Sequence, residues 1–252
     1  MQYKNIELKN KNNLTIRGVE NLPDKYDGVK KLPTIIIVHG HTGNKMGNAF
    51  FYVRMSKYFT SKGYATFRFD FTGSGESDGE FENMTLTSEI KDMDCIMDYV
   101  ENCENVDTDN IFIIGHSMGG LITTLKAYEY KPKKIILLAP ANDMYNSVVE
   151  LYRNYGENME EIEYLGLKIK KEFMLDMEKY KPYEKAALYK GDVLIFRGSE
   201  DTAVTKETCI KTERNFPGVV EYYELEGIDH SFVNYDIRQY IIKKICNFIE
   251  QE

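Results

Sequence analysis

Four apolar residues, Ile111 to Ile114, run directly into Gly115-His116-Ser117-Met118-Gly119-Gly120, and a helical pattern follows from Leu121 to Tyr130. A continuous β-branched and aromatic run of this kind suits a strand covered on both faces. The order strand, sharp turn, helix puts Ser117 at the tip of the turn. Glycines two before and two after it let the backbone bend without Cβ clashes, which holds the serine strained and exposed. The helix that follows aims its free N–H groups and its dipole at the same point, where they favour developing negative charge. A chain built around this segment needs a parallel sheet with a helix following each strand.

The rest of the sequence supplies such a sheet. Tyr3 to Lys9 and Leu14 to Val19 alternate apolar and polar residues around a turn-prone Asn10-Lys11-Asn12-Asn13, which predicts an opening β-hairpin. Strands are expected at Thr34–Val38, Tyr64–Phe69, Ile135–Leu138, Val193–Phe196 and Val219–Leu225, with Thr34–Val38 and Ile135–Leu138 of the buried type. Helical periods fall at Ala49–Lys62, Thr85–Cys103, Lys206–Asn215 and Tyr235–Glu250. Alternation of this kind predicts an α/β fold with a mostly parallel eight-stranded sheet and helices on both faces, in a single domain spanning residues 1–252. Regularity lapses only between 142 and 190. That stretch is too long for an ordinary connection, and helical patches such as Glu160–Tyr180 make it read as an inserted helical cap.

A serine hydroxyl is a weak nucleophile and needs a neighbouring base oriented by a carboxylate. The chain has four histidines. His116 follows the strand so closely that its side chain should point away from the elbow tip. His39 and His41 flank Gly40 at the end of a strand, a position suited to backbone donation. His230 lies between the last strand and the last helix, above the strand ends where Ser117 is expected, and is the candidate base. The acid should lie between serine and base in chain order. Asp201, just after the Val193–Phe196 strand, fits best, with Asp143 and Glu200 as alternatives. Two N–H donors for an oxyanion are expected from Met118 and His41.

These residues carry a resemblance. The chain resembles an α/β-hydrolase over essentially its whole length, and is similar to bacterial cinnamoyl (feruloyl) esterases and related serine-aminopeptidase-like hydrolases. The carriers are His39-Gly40-His41-Thr42-Gly43, the block from Asp70 to Thr85, Gly115 to Gly120, Leu138-Ala139-Pro140-Ala141, Gly198-Ser199-Glu200-Asp201 and Asp229-His230. The resemblance implies the same triad, Ser117, Asp201 and His230, with His41 and Met118 as oxyanion donors. It also implies that the cap shapes an acyl pocket, with Tyr145, Tyr152, Tyr155 and Tyr164 available to stack on an aromatic acid. The family often has Phe where His41 stands and Gln where Met118 stands; both swaps keep the backbone N–H and change the pocket wall. Short acyl esters, monoacylglycerols and aminoacyl amides are the alternative substrates. An aminopeptidase would need acids for a free amine, and Glu157, Glu160, Glu161 and Glu163 are the available cluster, although they read as a solvated helix face.

Composition excludes other classes. A formal charge of −8 leaves no basic face for nucleic acid. The four cysteines, Cys95, Cys103, Cys209 and Cys246, show no metal-type spacing and read as free thiols. The N-terminus has no secretory pattern and no window suits a membrane span, so a cytoplasmic protein is expected. The expected partner is a small-molecule ester, with no nucleic acid, no membrane, and neither metal nor organic cofactor. The sequence is compatible with a monomer or a homodimer.

Overall fold

The structure, a computed structural model, describes residues 1–156 and 159–251. Its centre is an eight-stranded sheet built from β1 (Gln2–Lys9), β2 (Thr15–Leu22), β3 (Leu32–Val38), β4 (Ala65–Phe69), β5 (Val106–His116), β6 (Lys134–Leu138), β9 (Asp192–Gly198) and β10 (Val220–Leu225). Their order across the sheet is β1-β2-β4-β3-β5-β6-β9-β10. β1 and β2 form the antiparallel opening hairpin, and β2 adds antiparallel to β4; every other pairing is parallel. The central strands are buried along their apolar runs: Ile35, Ile113, Ile114, Ile135, Ile136, Val193 and Ile195 have essentially no exposed surface.

Five long helices cover the sheet: α1 (Phe51–Ser61), α2 (Leu86–Glu101), α3 (Met118–Tyr130), α7 (Lys206–Asn215) and α8 (Tyr235–Glu250). α1 packs against α8 and α2 against α3. Local chemistry sets their starts. Thr85 and Ser88 form a reciprocal capping box at α2, while Thr205 and Asn234 cap α7 and α8 through N–H groups one turn on. The helix expected from Ala49 begins only at Phe51. Ala49 and Phe50 both have left-handed backbone, φ 45° and 61°, and belong to a 3-10 turn over Asn48–Phe50.

Between β6 and β9 lie α4 (Met144–Tyr155), a two-stranded hairpin β7 (Glu161–Tyr164) and β8 (Leu167–Lys170), then α5 (Lys171–Met177) and α6 (Pro182–Ala186). The helical patch expected over 160–180 is therefore corrected: its first half is β-hairpin. Ile162 and Ile169 face each other and are buried while the flanking Glu163 and Lys168 are exposed and Glu161 and Lys170 half-buried, as the alternation of a strand requires. Leu165 and Gly166 both take positive φ, 53° and 76°, as a two-residue hairpin turn of the primed type requires. The inserted segment is fastened to the body of the fold. Asp176 of α5 accepts from the Thr87 N–H at 2.7 Å and the Thr87 hydroxyl at 2.6 Å, at the start of α2. Lys170 reaches the Asn83 side chain at 2.6 Å.

Candidate active site

Ser117 sits between β5 and α3 with φ 55° and ψ −120°, a conformation that costs a non-glycine residue about 1–3 kcal/mol and persists only where the surroundings impose it. The surroundings do impose it. The Ser117 N–H donates to the Leu138 carbonyl at 2.9 Å, and the Ser117 carbonyl accepts from Gly120, Leu121 and Ala141. The flanking glycines are needed for space. A Cβ on Gly119 would stand 2.4 Å from the Val38 carbonyl oxygen, and one on Gly115 would stand 2.5 Å from that of Gly119. A Cβ on Gly40 would lie 2.7 Å from the Ser117 Cβ and 3.3 Å from its Oγ. The serine side chain thus rests against the loop after β3, next to His41. Among the described residues no acceptor takes the backbone N–H of His41 or of Met118, the first residue of α3.

The other two candidates meet at the adjacent strand ends. His230 Nδ1 donates to Asp201 Oδ2 at 2.7 Å. The other Asp201 oxygen, Oδ1, accepts from the N–H groups of Ala203 and Val204, both at 2.8 Å. Burial works against the Asp201 charge, but the His230 contact and these N–H groups outweigh it, and the carboxyl titrates below its ordinary range. Arg197 of β9 fixes the loop by donating to the carbonyls of Val204 and Asp201. Asp143 faces α7 instead, against Thr208 and Lys211, and Glu200 is exposed. The Ser117 hydroxyl carries no hydrogen bond to a described residue; in resting sites that contact is commonly long and tightens around substrate.

Two histidines that carry no proton-transfer expectation prove to be braces. His116 reaches the loop of His230. Its Nε2 bonds the His230 carbonyl at 3.0 Å, its Nδ1 lies 2.8 Å from the Tyr52 hydroxyl, and its ring centroid is 5.2 Å from that of His230. A carbonyl can only accept, so Nε2 carries the proton and Nδ1 accepts from Tyr52. Burial, then the neighbouring His230, push the His116 pKa down to about 3, which keeps this tautomer neutral. His39 does the same for the β3 loop, donating from Nδ1 to the Gly40 carbonyl at 2.8 Å and accepting the Phe71 N–H at Nε2, 3.1 Å. Neither bond has a signal in local sequence. Replacing His116 with Ala should lower kcat by about 100-fold with KM little changed, because the base loses the support of its main chain. Steady-state kinetics on any turned-over ester checks this, with Tyr52→Phe expected to shift activity in the same direction.

The His41 ring lies in an aromatic wall, stacked on Phe173 of α5 at 5.2 Å and 13°, with Phe81 also at 5.2 Å and Tyr164 at 6.3 Å. Burial pushes its pKa down to about 4, and its Nε2 has no hydrogen-bond partner among the described residues. Of the cap tyrosines expected to line a pocket, Tyr152 is buried and its hydroxyl donates to the Ile169 carbonyl at 2.7 Å, so it ties α4 to the hairpin and has no free donor to offer a ligand. Tyr145 is half-buried and lines an open groove of about 600 Å³ along α4 with Val149 and Arg153. Glu160 and Glu163 are exposed on the hairpin, Glu161 pairs with Lys168 at 2.6 Å, and Glu157 lies outside the described residues.

Buried neutral imidazoles make stability depend on pH. His39, His41 and His116 all titrate below 6.5 in the fold, so unfolding lets them take up protons once the pH drops below that value. Glu89, buried beside Asp92 and held protonated, gives one up on unfolding above 4.5. The imidazoles outnumber the carboxyl, so on balance unfolding takes up protons near pH 5 and stability falls as the pH falls. Urea unfolding at pH 7 and pH 5 should show this loss; equal midpoints would contradict it.

A strained serine at a strand–helix elbow, on a mostly parallel sheet with helices on both sides, defines an α/β-hydrolase. The sequence profile described as serine aminopeptidase, S33, matches residues 30–208, and the chain belongs to that family of hydrolases. An uncharacterized 31.7 kDa Escherichia coli protein from a traX-finO intergenic region is 27% identical over 219 residues, covering 70% of this chain and 75% of that protein. The mitochondrial palmitoyl-protein thioesterase ABHD10 of mouse is 31% identical over 137 residues, 54% of this chain but only 43% of the relative. Among solved structures, Est1E of Butyrivibrio proteoclasticus with ferulic acid bound superposes with a TM-score of 0.85 at 24% identity, over 97% of both chains. Mouse ABHD10 gives 0.80 at 20% identity over 98% of each. No described helix is long and apolar enough to cross a membrane.

Proposed function

We propose that this hydrolase cleaves carboxylic esters through an acyl-enzyme on Ser117. The observation that carries the reading is the His230–Asp201 hydrogen bond of 2.7 Å, in the loops that follow β9 and β10, together with a strained serine that has two unclaimed backbone N–H groups next to it. In this reading His230 takes the Ser117 proton from its Nε2 side as Oγ bonds to the ester carbonyl carbon. The developing oxyanion is held by the N–H groups of His41 and Met118. The tetrahedral species collapses with loss of the alcohol, which leaves with the proton from His230; water then repeats the sequence on the acyl-enzyme and regenerates Ser117. Asp201 holds the imidazole in the tautomer that leaves Nε2 free to accept.

The acyl half lies against the wall of His41, Phe81 and Phe173, which suits a planar or apolar acid. A hydroxycinnamoyl ester is the preferred substrate on this reading, given the ferulic acid bound to Est1E. The name of ABHD10 makes a thioester the second substrate to test, since the same machinery serves both. An aminoacyl amide is disfavoured because, among the described residues, the candidate acids for a free amine, Glu160, Glu161 and Glu163, are exposed or paired with lysine. Hydrolysis of methyl ferulate, p-nitrophenyl butyrate, a butyryl thioester and an aminoacyl anilide should give turnover of the esters and little of the anilide. Turnover of the anilide alone would overturn the esterase reading.

A further inference from the structure

The chain bends at some cost to hold an apolar rim beside His230. Ala49 and Phe50 adopt consecutive left-handed conformations without being glycine, and Phe232 has φ 53°. Such backbone is unfavourable for side-chain-bearing residues and collects at functional sites. Here it leaves the Phe50 ring 63% exposed, while Phe51, the next residue, is buried under the Arg238 guanidinium. Across from it, Val233 is 57% exposed and Tyr235 65%. Arg238 joins the two loops: it donates to the Phe232 carbonyl at 2.7 Å, the Ser231 carbonyl at 3.0 Å and the Ala49 carbonyl at 3.4 Å. Tyr52, two residues beyond Phe50, bonds the histidine that supports His230.

We propose that Phe50, Val233 and Tyr235 form the leaving-group subsite, and that it takes an apolar alcohol such as a medium-chain alkyl or aryl alcohol. The proposal rests on the esterase reading and adds a direction to it. The departing oxygen must receive its proton from His230, so the alcohol half leaves over the loops that flank that imidazole. An apolar patch on the loop that carries the proton donor and on the loop Arg238 ties to it is a binding surface for whatever leaves there. Its cations are turned onto rings: Arg54 lies 4.6 Å over Tyr235 and Arg238 4.7 Å over Phe51, so neither is presented to an anionic alcohol.

Methyl butyrate and hexyl butyrate form the same acyl-enzyme, so a difference in kcat/KM between them reads the leaving group alone. The native protein should prefer the hexyl ester by about tenfold or more. A Phe50→Ser/Val233→Ser double variant should reduce that ratio to about threefold or less, while Tyr128→Ser, an exposed ring on α3, should leave it unchanged. A native ratio near one, or a ratio the double variant does not move, overturns the subsite. Sedimentation that shows the double variant turning a dimer into a monomer at constant ratio also overturns it, since a second copy then covers the rim. Failure of folded native protein to hydrolyse either ester would instead sink the esterase reading.

Discussion

Ser117→Ala should abolish ester hydrolysis, lowering kcat by about a millionfold to background, while the protein folds and melts as before. The side chain makes no hydrogen bond to a described residue, so its loss removes chemistry and little structure. Strain at the position favours the variant slightly, because alanine inherits the same φ of 55° with less to crowd. A fluorophosphonate probe should label the native protein and spare the variant. Residual turnover within a hundredfold of native would mean that another group attacks the substrate.

The second large effect is expected at the acid. Asp201→Asn keeps the shape of the site and places an amide N–H where Oδ2 accepts from His230. The imidazole must then present an acceptor at Nδ1 and carry its proton on Nε2, which cannot receive one from serine. A loss of about 10⁴-fold in kcat follows. Asp143→Asn and Glu200→Gln should stay within about tenfold of native, because Asp143 bonds α7 and Glu200 faces solvent. Comparing the three variants on one ester identifies the acid, and a larger loss at Asp143 would reassign it.

The parallel sheet is legible in the sequence because the cores of its central strands, such as Ile35–Val38, Ile111–Ile114 and Ile135–Leu138, are buried on both faces and therefore apolar without interruption. The elbow is legible because its glycines answer to steric limits within a few residues: Gly119 against Val38 and His39, Gly115 against Gly119. What escapes is set by partners distant in the chain. Tyr52 and His116 are 64 residues apart, and no local pattern announces their bond. The β7–β8 hairpin escapes for a different reason. Its strands carry charged residues such as Glu161, Glu163, Lys168 and Lys170, and its turn uses Leu165, which hides the glycine-rich signal of a primed turn and lets the segment read as helix. The start of α1 is displaced for a similar reason: Ala49 and Phe50 have good apolar spacing, and nothing in their identity reveals a left-handed backbone.

The bond from His116 goes to the main chain of His230 and leaves the imidazole itself untouched. If His230 is the base of the proposed reaction, its pivot is fixed while its ring lies between Asp201 and the His116 ring, 5.2 Å away. In that reaction the same proton would be collected from one oxygen and delivered to another that is not in the same place. An anchored hinge permits that short excursion without letting the loop drift, and a substrate that demanded a longer one would be handled slowly however well it bound.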